Sequence, residues 1–300
     1  MDYIDIEILR LLLNNCRLPY RVIGDRVKLS GQSIRRRIHR LVDNSVIISF
    51  ISRGGKCGTK LEEFVGILSF AERVNPNIVM DALLALPSIF CTVFCDSHLI
   101  FFRGCIEGSC GIKETLMAIW NINGVEAVSV YLVPDFAYTL KKYKNKFCQL
   151  IPHLIESPRI RYTDLSRRTG FNVKTVRRYI TNLLEEDLIR FSIEYNLSAW
   201  RGVGSIIRAK PTTNSWPHDS TYSSLIDTVE PIRFRTTQSA TQSIVFLECW
   251  ANNLSTINRI NDKLKRIPKM VSDMWIARKW KYTIDPRITK LLEMVYQKSK

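Results

Sequence analysis

Residues 29–41 read LSGQSIRRRIHRL, and their pattern sets the reading of the chain around them. Ser30 is placed to cap a helix, its hydroxyl accepting from an orphan amide of the first turn. Ile34, Ile38 and Leu41 follow at i, i+4 and i+7 and so share one face for burial. On the opposite side lie Gln32 and Arg36, flanked by Ser33, His39 and Arg40. Upstream, Ile4, Ile8, Leu9, Leu12 and Leu13 mark a first amphipathic helix. Pro19 suits the start of a short second helix over 20–27. Downstream, the β-branched run Val46 to Ile51 reads as a strand. Three short helices with a tight turn before the third predict a helix-turn-helix.

The same pattern returns 142 residues later without a gap, where residues 171–183 read FNVKTVRRYITNL. Arg17 matches Arg159, Tyr20 matches Tyr162, and Arg35 and Arg36 match Arg177 and Arg178. Ile38, Leu41 and Ile47 match Ile180, Leu183 and Ile189, and Asn172, another good N-cap, replaces Ser30. The buried back and the basic front stay in register through the preceding helices, as an internal duplication requires.

Between the repeats the order is strand 63–71, helix 76–86, strands 89–95 and 99–105 around Asp96-Ser97-His98, helix 112–122 and strand 125–133. That is the βαββαβ arrangement of a ferredoxin-like domain. Strands 89–95 and 99–105 are apolar on both faces, whereas an antiparallel sheet with one wet face alternates. The second face is expected to be covered by another copy of the domain. A looser βαββαβ follows: 203–209, helix 221–228, 232–237, 242–250, helix 254–265 and 271–277. An amphipathic helix over 285–296 ends the pattern. The expected class is α+β: two winged helix-turn-helix domains (1–53 and 141–195) alternating with two ferredoxin-like domains (54–140 and 196–284), then a C-terminal helix from 285 to 300. Lys141 to Lys146 reads as a basic link.

The net charge of +16 is unevenly spread. Residues 1–53 carry 10 basic and 5 acidic side chains, and 141–195 carry 12 and 6, whereas 54–140 carry 5 and 9. The positive excess includes both helix-turn-helix stretches and favours a polyanionic partner. The acidic, amphipathic start is unlike a signal peptide, and the apolar run 82–95 is broken and too short to span a bilayer. A cytoplasmic protein without a membrane partner is expected.

Eight cysteines form no C-x-x-C pair, which points to reduced, mostly buried thiols. Cys91, Cys95, Cys105 and Cys110, with His98 nearby, are the one cluster suited to metal or redox chemistry. Their spacing is not that of a zinc site, so no metal and no cofactor are expected. Trp200, Trp216, Trp250, Trp275 and Trp280 follow no stacking period and read as core and interface residues.

The opening stretch, through Ile8-Leu9, Arg17, Leu29-Ser30, Ile34, Arg37-Ile38 and Leu41, resembles the leucine-responsive/AsnC (feast/famine) transcriptional regulators of bacteria and archaea. That resemblance implies an N-terminal helix-turn-helix joined to a ferredoxin-like sensing and dimerising domain. It implies double-stranded DNA as partner, a homodimer or higher oligomer through the ferredoxin-like domains, and room for a small-molecule effector. The DNA-facing residues would be Ser30, Gln32, Ser33, Arg35, Arg36, Arg37 and Arg40, and in the second copy Lys174, Thr175, Arg177 and Arg178. Arg36 is placed for bidentate guanine reading and Arg40 and Arg26 for phosphate, while Arg37 has the alternative of bracing the bundle through a carboxylate. The bland alternative for all of them is a solvated basic face.

Two positions depart from the family pattern. Tyr179 stands where Arg37 does, and the turns 95–98 and 238–241 both lack the Gly-x-x-Asp of the family's effector site. Two other readings stay open, an interaction module without its own DNA specificity and an activity like that of the sirohaem decarboxylases, which resemble some relatives of this architecture. The latter would want a polar, histidine-bearing pocket, and two of the four histidines, His39 and His153, fall in the helix-turn-helix units.

Overall fold

A computed structural model describes the chain apart from residues 56–58, 60, 134–147, 213–217, 231–232, 240–241 and 298–300. The basic link, Trp216 and part of the second sensor turn lie outside the described residues. In the first unit α1 (Tyr3–Asn14), α2 (Tyr20–Val27) and α3 (Gly31–Asp43) pack as expected and lead into β1 (Ile47–Gly54). The second unit repeats this as α6 (Ile151–Glu156), α7 (Tyr162–Thr169), α8 (Val173–Glu185) and β6 (Ile189–Tyr195). Between them run β2 (Glu62–Phe70), α4 (Pro76–Leu84), β3 (Ile89–Cys95), β4 (Leu99–Ile106), α5 (Gly108–Trp120) and β5 (Val125–Leu132). After β6 come β7 (Val203–Pro211), α9 (His218–Val229), β8 (Arg233–Gln238), β9 (Val245–Ala251), α10 (Leu254–Leu264), β10 (Met270–Tyr282) and α11 (Pro286–Gln297).

The two βαββαβ segments join into one eight-stranded sheet in the order β5-β2-β4-β3-β10-β7-β9-β8. The joint corrects one expectation. β10 was expected to stop at Ala277 but continues to Tyr282, because Ala277–Tyr282 pair with β3 of the other half. Period-two alternation then explains the doubly apolar strands. Phe64, Leu68 and Phe102 pack on α4 and α5 with Val79, Leu83 and Ile119, while Val65, Ile67 and Phe101 face the opposite way. In the second half Val245 and Leu247 face α9 and α10, and Phe246 turns to the other side. Phe246 meets Phe101 and Tyr131 there, at ring centroid distances of 5.7 and 5.3 Å. The second copy of the domain thus covers the first within a single chain. On the helix-covered face Gly66 makes room for Phe102, because a Cβ there would lie 2.1 Å from the Phe102 ring across the ladder.

The helix-turn-helix units are joined by the same approximate two-fold. β1 and β6 form their own antiparallel pair, with Phe50 opposite Ile193. Ser52 Oγ donates to the Leu154 carbonyl at 2.5 Å and Ser192 Oγ to that of Leu13 at 2.7 Å. Arg17 lies over Tyr162 and Phe191, and Arg159 over Tyr20 and Phe50. The repeated Arg and Tyr of the sequence are therefore exchanged across the interface. Arg17 adds hydrogen bonds to the carbonyls of Pro158 and Ile160 at 2.7 and 2.8 Å.

Candidate nucleic-acid interface

α3 is built as its sequence dictates. Ser30 Oγ accepts from the Ser33 amide at 3.2 Å, and Ile34, Ile38 and Leu41 are buried. In α8, Asn172 Oδ1 accepts from the Thr175 amide at 2.8 Å over buried Val176, Ile180 and Leu183. The turns entering both helices share a left-handed residue at the same repeat position, Lys28 (φ 58°) in one and Gly170 (φ 73°) in the other. Gly24 lets the first turn close, since a Cβ there would sit 2.3 Å from the Leu29 carbonyl oxygen. In the second unit Ser166 takes that position and its hydroxyl donates to the matching carbonyl, that of Phe171, at 2.6 Å.

Opposite the buried stripe, Gln32, Arg35 and Arg36 are exposed and take part in no ion pair among the described residues. Arg37 is committed elsewhere. Its guanidinium reaches Asp5 at 2.7 Å and Asp2 at 2.8 Å, which makes it the brace between α3 and α1 rather than part of the outward front. Asp5 is fully buried, and Arg40 also reaches it at 3.2 Å while lying over Trp200. Burial raises the Asp2 carboxyl, but the Arg37 hydrogen bond and the Asp5 amide outweigh it and hold the group below its usual range. The hydroxyls of Ser30 and Ser33 bond each other at 2.9 Å at the helix start.

In α8, Lys174, Arg177 and Arg178 are exposed, and Thr175 is half-buried. Arg177 lies over Tyr162 and Arg178 over Tyr179. Tyr179 is buried with its ring edge-on to Phe171 at 5.4 Å, so this helix is held by aromatic packing where α3 is held by charge. The cation cluster is thus brought to two helix fronts, with the first freer than the second.

The sensor turn at Asp96 is tied to the joint: the Asp96 carboxylate accepts from the Ile276 amide at 2.9 Å, while Ser97 and His98 take positive φ. Cys91, Cys95 and Cys105 are buried, and burial pushes the Cys91 thiol up to about 12 and the other two higher still. The Cys110 side chain lies outside the described residues. Trp250 and Trp280 are core residues, and Trp275 carries Arg208 over its ring.

One feature escaped the sequence reading. Where β2, β4, β8, β9 and α11 converge, Arg103, Arg235 and Arg287 surround Glu63, with Arg287 at 3.1 Å and Arg235 at 3.5 Å. Arg103 and Arg235 also face buried Glu248 at 3.6 and 3.9 Å, and Tyr195 donates to that carboxylate. Burial raises the Glu63 carboxyl, yet the three arginines and Arg53 hold it well below the usual carboxylate range. These residues come from elements far apart in sequence, so no spacing announces them.

Residues 1–42 match the AsnC-type helix-turn-helix domain, and residues 151–190 match the winged helix-turn-helix DNA-binding family. The transcriptional regulator LrpB of Bacillus subtilis is 36% identical over 50 residues, 17% of this chain and 34% of LrpB. An uncharacterized HTH-type transcriptional regulator of Pyrococcus abyssi is 30% identical over 106 residues, 34% of this chain and 66% of that protein. The matched parts therefore span about a third of one relative and just under two thirds of the other. Over its whole length the chain has the fold of the siroheme decarboxylase NirDL, with a TM-score of 0.54, 11% identity and full coverage of both chains. Both helix-turn-helix matches fall in the register of the repeat, so the chain carries two helix-turn-helix units, the first of AsnC type and similar to those of leucine-responsive/AsnC regulators.

Proposed function

We propose that the chain is a sequence-specific DNA-binding regulator in which one polypeptide supplies two reading heads. The observation that carries this reading is the outward front of α3, where Gln32, Arg35 and Arg36 are exposed and uncommitted while neighbouring Arg37 is spent on the bundle. In this motif the third helix enters the major groove with its N-terminal half toward the bases. Arg36 then reads guanine through two parallel hydrogen bonds, and Gln32 and Arg35 reach adjacent edges or phosphates. α8 contributes Lys174 and Arg178 mainly to affinity. The approximate two-fold that pairs β1 with β6 suits a site with paired half-sites about 10–10.5 bp apart, or a multiple of that.

The likeness to the decarboxylase is one of fold, and no histidine lines the cleft between α1, the end of α8, β6 and β8. Selection of bound sites from random duplex DNA, with a salt series on the winner, tests the regulator reading. Arg36→Ala should flatten the preference at one base step, a loss of about 1–3 kcal/mol of discrimination. Affinity should fall steeply with salt, as phosphate contacts require. Absence of duplex binding at low salt would sink the reading, and unchanged preference in the variant would remove Arg36 from it.

A further inference from the structure

Between α1, the end of α8, β6 and β8 lies a cleft of about 790 Å³. That volume falls within the range of small-molecule sites. Arg10, Arg53, Arg190, Arg233 and Arg235 line it, against three carboxylates. Most of these arginines are already aimed by the protein. Arg10 donates to the Glu230 carbonyl at 3.0 Å and to that of Arg233, and Glu230 in turn orients Arg233. Arg190 is held by the two hydrogen bonds it donates to the Asp187 carboxylate, at 2.6 and 2.7 Å.

The inner end differs. Arg235 stands 3.5 and 3.9 Å from its carboxylates, beyond a strong hydrogen bond. Arg53 is only 9% exposed, its nearest carboxylate is Asp285 at 3.7 Å, and its Nε has no hydrogen-bond partner. Burial, with Arg287 beside it, draws its guanidinium down to about 9. Behind the cleft Arg53, Arg103, Arg235 and Arg287 share Glu63, Glu248 and Asp285, with Glu194 also facing Arg53, so the shortage of negative charge lies in the cleft lining itself, with its five arginines against three carboxylates. A buried guanidinium with unused donors is costly, and an anion in the cleft would satisfy it.

We propose that this cleft binds a small molecule carrying two or more oxyanion groups, carboxylates or phosphates, gripped by Arg53 and Arg235 at the inner end and by Arg190 at the mouth. Planar guanidinium forks match such groups bidentately, and several at different angles select a multiply charged ligand over a monoanion. The site is separate from the sensor turn at Asp96, and it joins the first reading unit through Arg10, the paired strands through Arg53 and Arg190, and the second sheet half through Arg235. An occupant that favours one arrangement of these parts would shift the reading heads by its differential affinity. That consequence rests on the DNA-binding reading, whereas the binding itself does not.

The test is titration calorimetry on the full chain at fixed ionic strength, with citrate and inorganic pyrophosphate as probes and acetate as the monoanion control. One saturable site is expected for citrate or pyrophosphate and none for acetate, and the tighter probe tells a carboxylate source from a phosphate source. Arg190→Gln, at a partly exposed position, should weaken it about tenfold, the scale of a lost charge-assisted contact. Arg53→Gln should weaken it more, and if that variant fails to fold, Arg190→Gln alone decides. Arg178→Ala, on a reading helix, should bind the probe unchanged. Absence of saturable binding at millimolar probe, or equal binding by Arg190→Gln, would overturn the proposal. Probe binding by a chain that ignores duplex DNA would uphold the site and sink the regulator reading.

Discussion

In the first helix-turn-helix unit Arg37 turns back from α3 to grip Asp5 and Asp2, whereas in the second its counterpart Tyr179 packs its ring against Phe171. The same helix is fastened to the same bundle by charge in one copy and by aromatic packing in the other. The choice reaches the outer face. In the first copy the brace uses Arg37 and part of Arg40, leaving Arg35 and Arg36 extended. In the second, the repeat-matched Arg177 and Arg178 lie along the rings of Tyr162 and Tyr179. A basic front that looks equal in two aligned helices is therefore unequal in what it can offer a groove.

The sharpest way to break this contrast is to remove the shared carboxylate. Asp5 is fully buried, while the Arg37 side chain keeps 23% of its exposure and water can take up part of its charge. Asp5→Ala should therefore cost about 2–4 kcal/mol, somewhat less than the loss of one partner from a wholly buried pair. Tyr179→Leu stays apolar but is smaller and gives up the ring contact, at about 1–2 kcal/mol. Denaturant titration of both variants measures the difference. Equal losses would mean that charge is not what fastens α3.

The turns make a smaller version of the same comparison. Gly24→Ala drives a Cβ to 2.3 Å from the Leu29 carbonyl oxygen, a backbone contact that cannot swing away. A cost of about 1–3 kcal/mol is expected, as for other overpacked sites. Ser166→Ala removes the hydrogen bond to Phe171 and should cost about 1 kcal/mol. Gly24→Ser distinguishes packing from bonding: if it is tolerated, the first turn has room to open as the second does.

Acid should loosen the two units in sequence. Burial alone would raise the Asp2 carboxyl, but Arg37 holds it below the unfolded value of about 3.9. A depressed carboxyl lends stability above that unfolded value, and the contribution is lost as pH falls through the folded one. Hydrogen exchange below about pH 4 should therefore rise in α3 before α8. Asp2→Asn should abolish the lag. Glu63 and Asp285, also held low by arginines, add an acid sensitivity of the joint common to both units.

Caps and periodicity made both helix-turn-helix units legible in the sequence, because Ser30 and Asn172 act within one turn of their own helices. The doubly apolar strands around Phe101 were legible too, as a demand for a cover. The duplication offered either the second half of the same chain or a second chain as that cover, and the choice between them was not legible, since the joining register of β10 with β3 depends on strands about 180 residues apart. Arg17 and Arg159 stood out as a repeated pair, yet their exchange onto Tyr162 and Tyr20 shows only once the units face each other. The arginine cleft had no signal at all: Arg10, Arg53, Arg190 and Arg235 come from four separate elements.

The smallest expected effect tests whether the two copies have relaxed to the same degree. Both enter the reading helix through a left-handed residue, but the first uses Lys28 and the second Gly170. A side chain in that region crowds the following carbonyl, a strain of about 1–2 kcal/mol, while glycine avoids it at the expense of extra freedom in the unfolded chain. The two terms partly cancel, so Lys28→Gly should stabilise the first unit by about 0.5–1 kcal/mol and Gly170→Ala should destabilise the second by a similar amount. Lys28 is exposed with no ion pair among the described residues, so its loss brings no other penalty to stability. A gain at Lys28 would mean that the first unit tolerates strain beside its freer reading front. No gain, with a loss at Gly170, would mean that the first backbone fits lysine without strain and that the second turn needs glycine for its positive φ, since a Cβ at Gly170 would meet nothing within 4 Å.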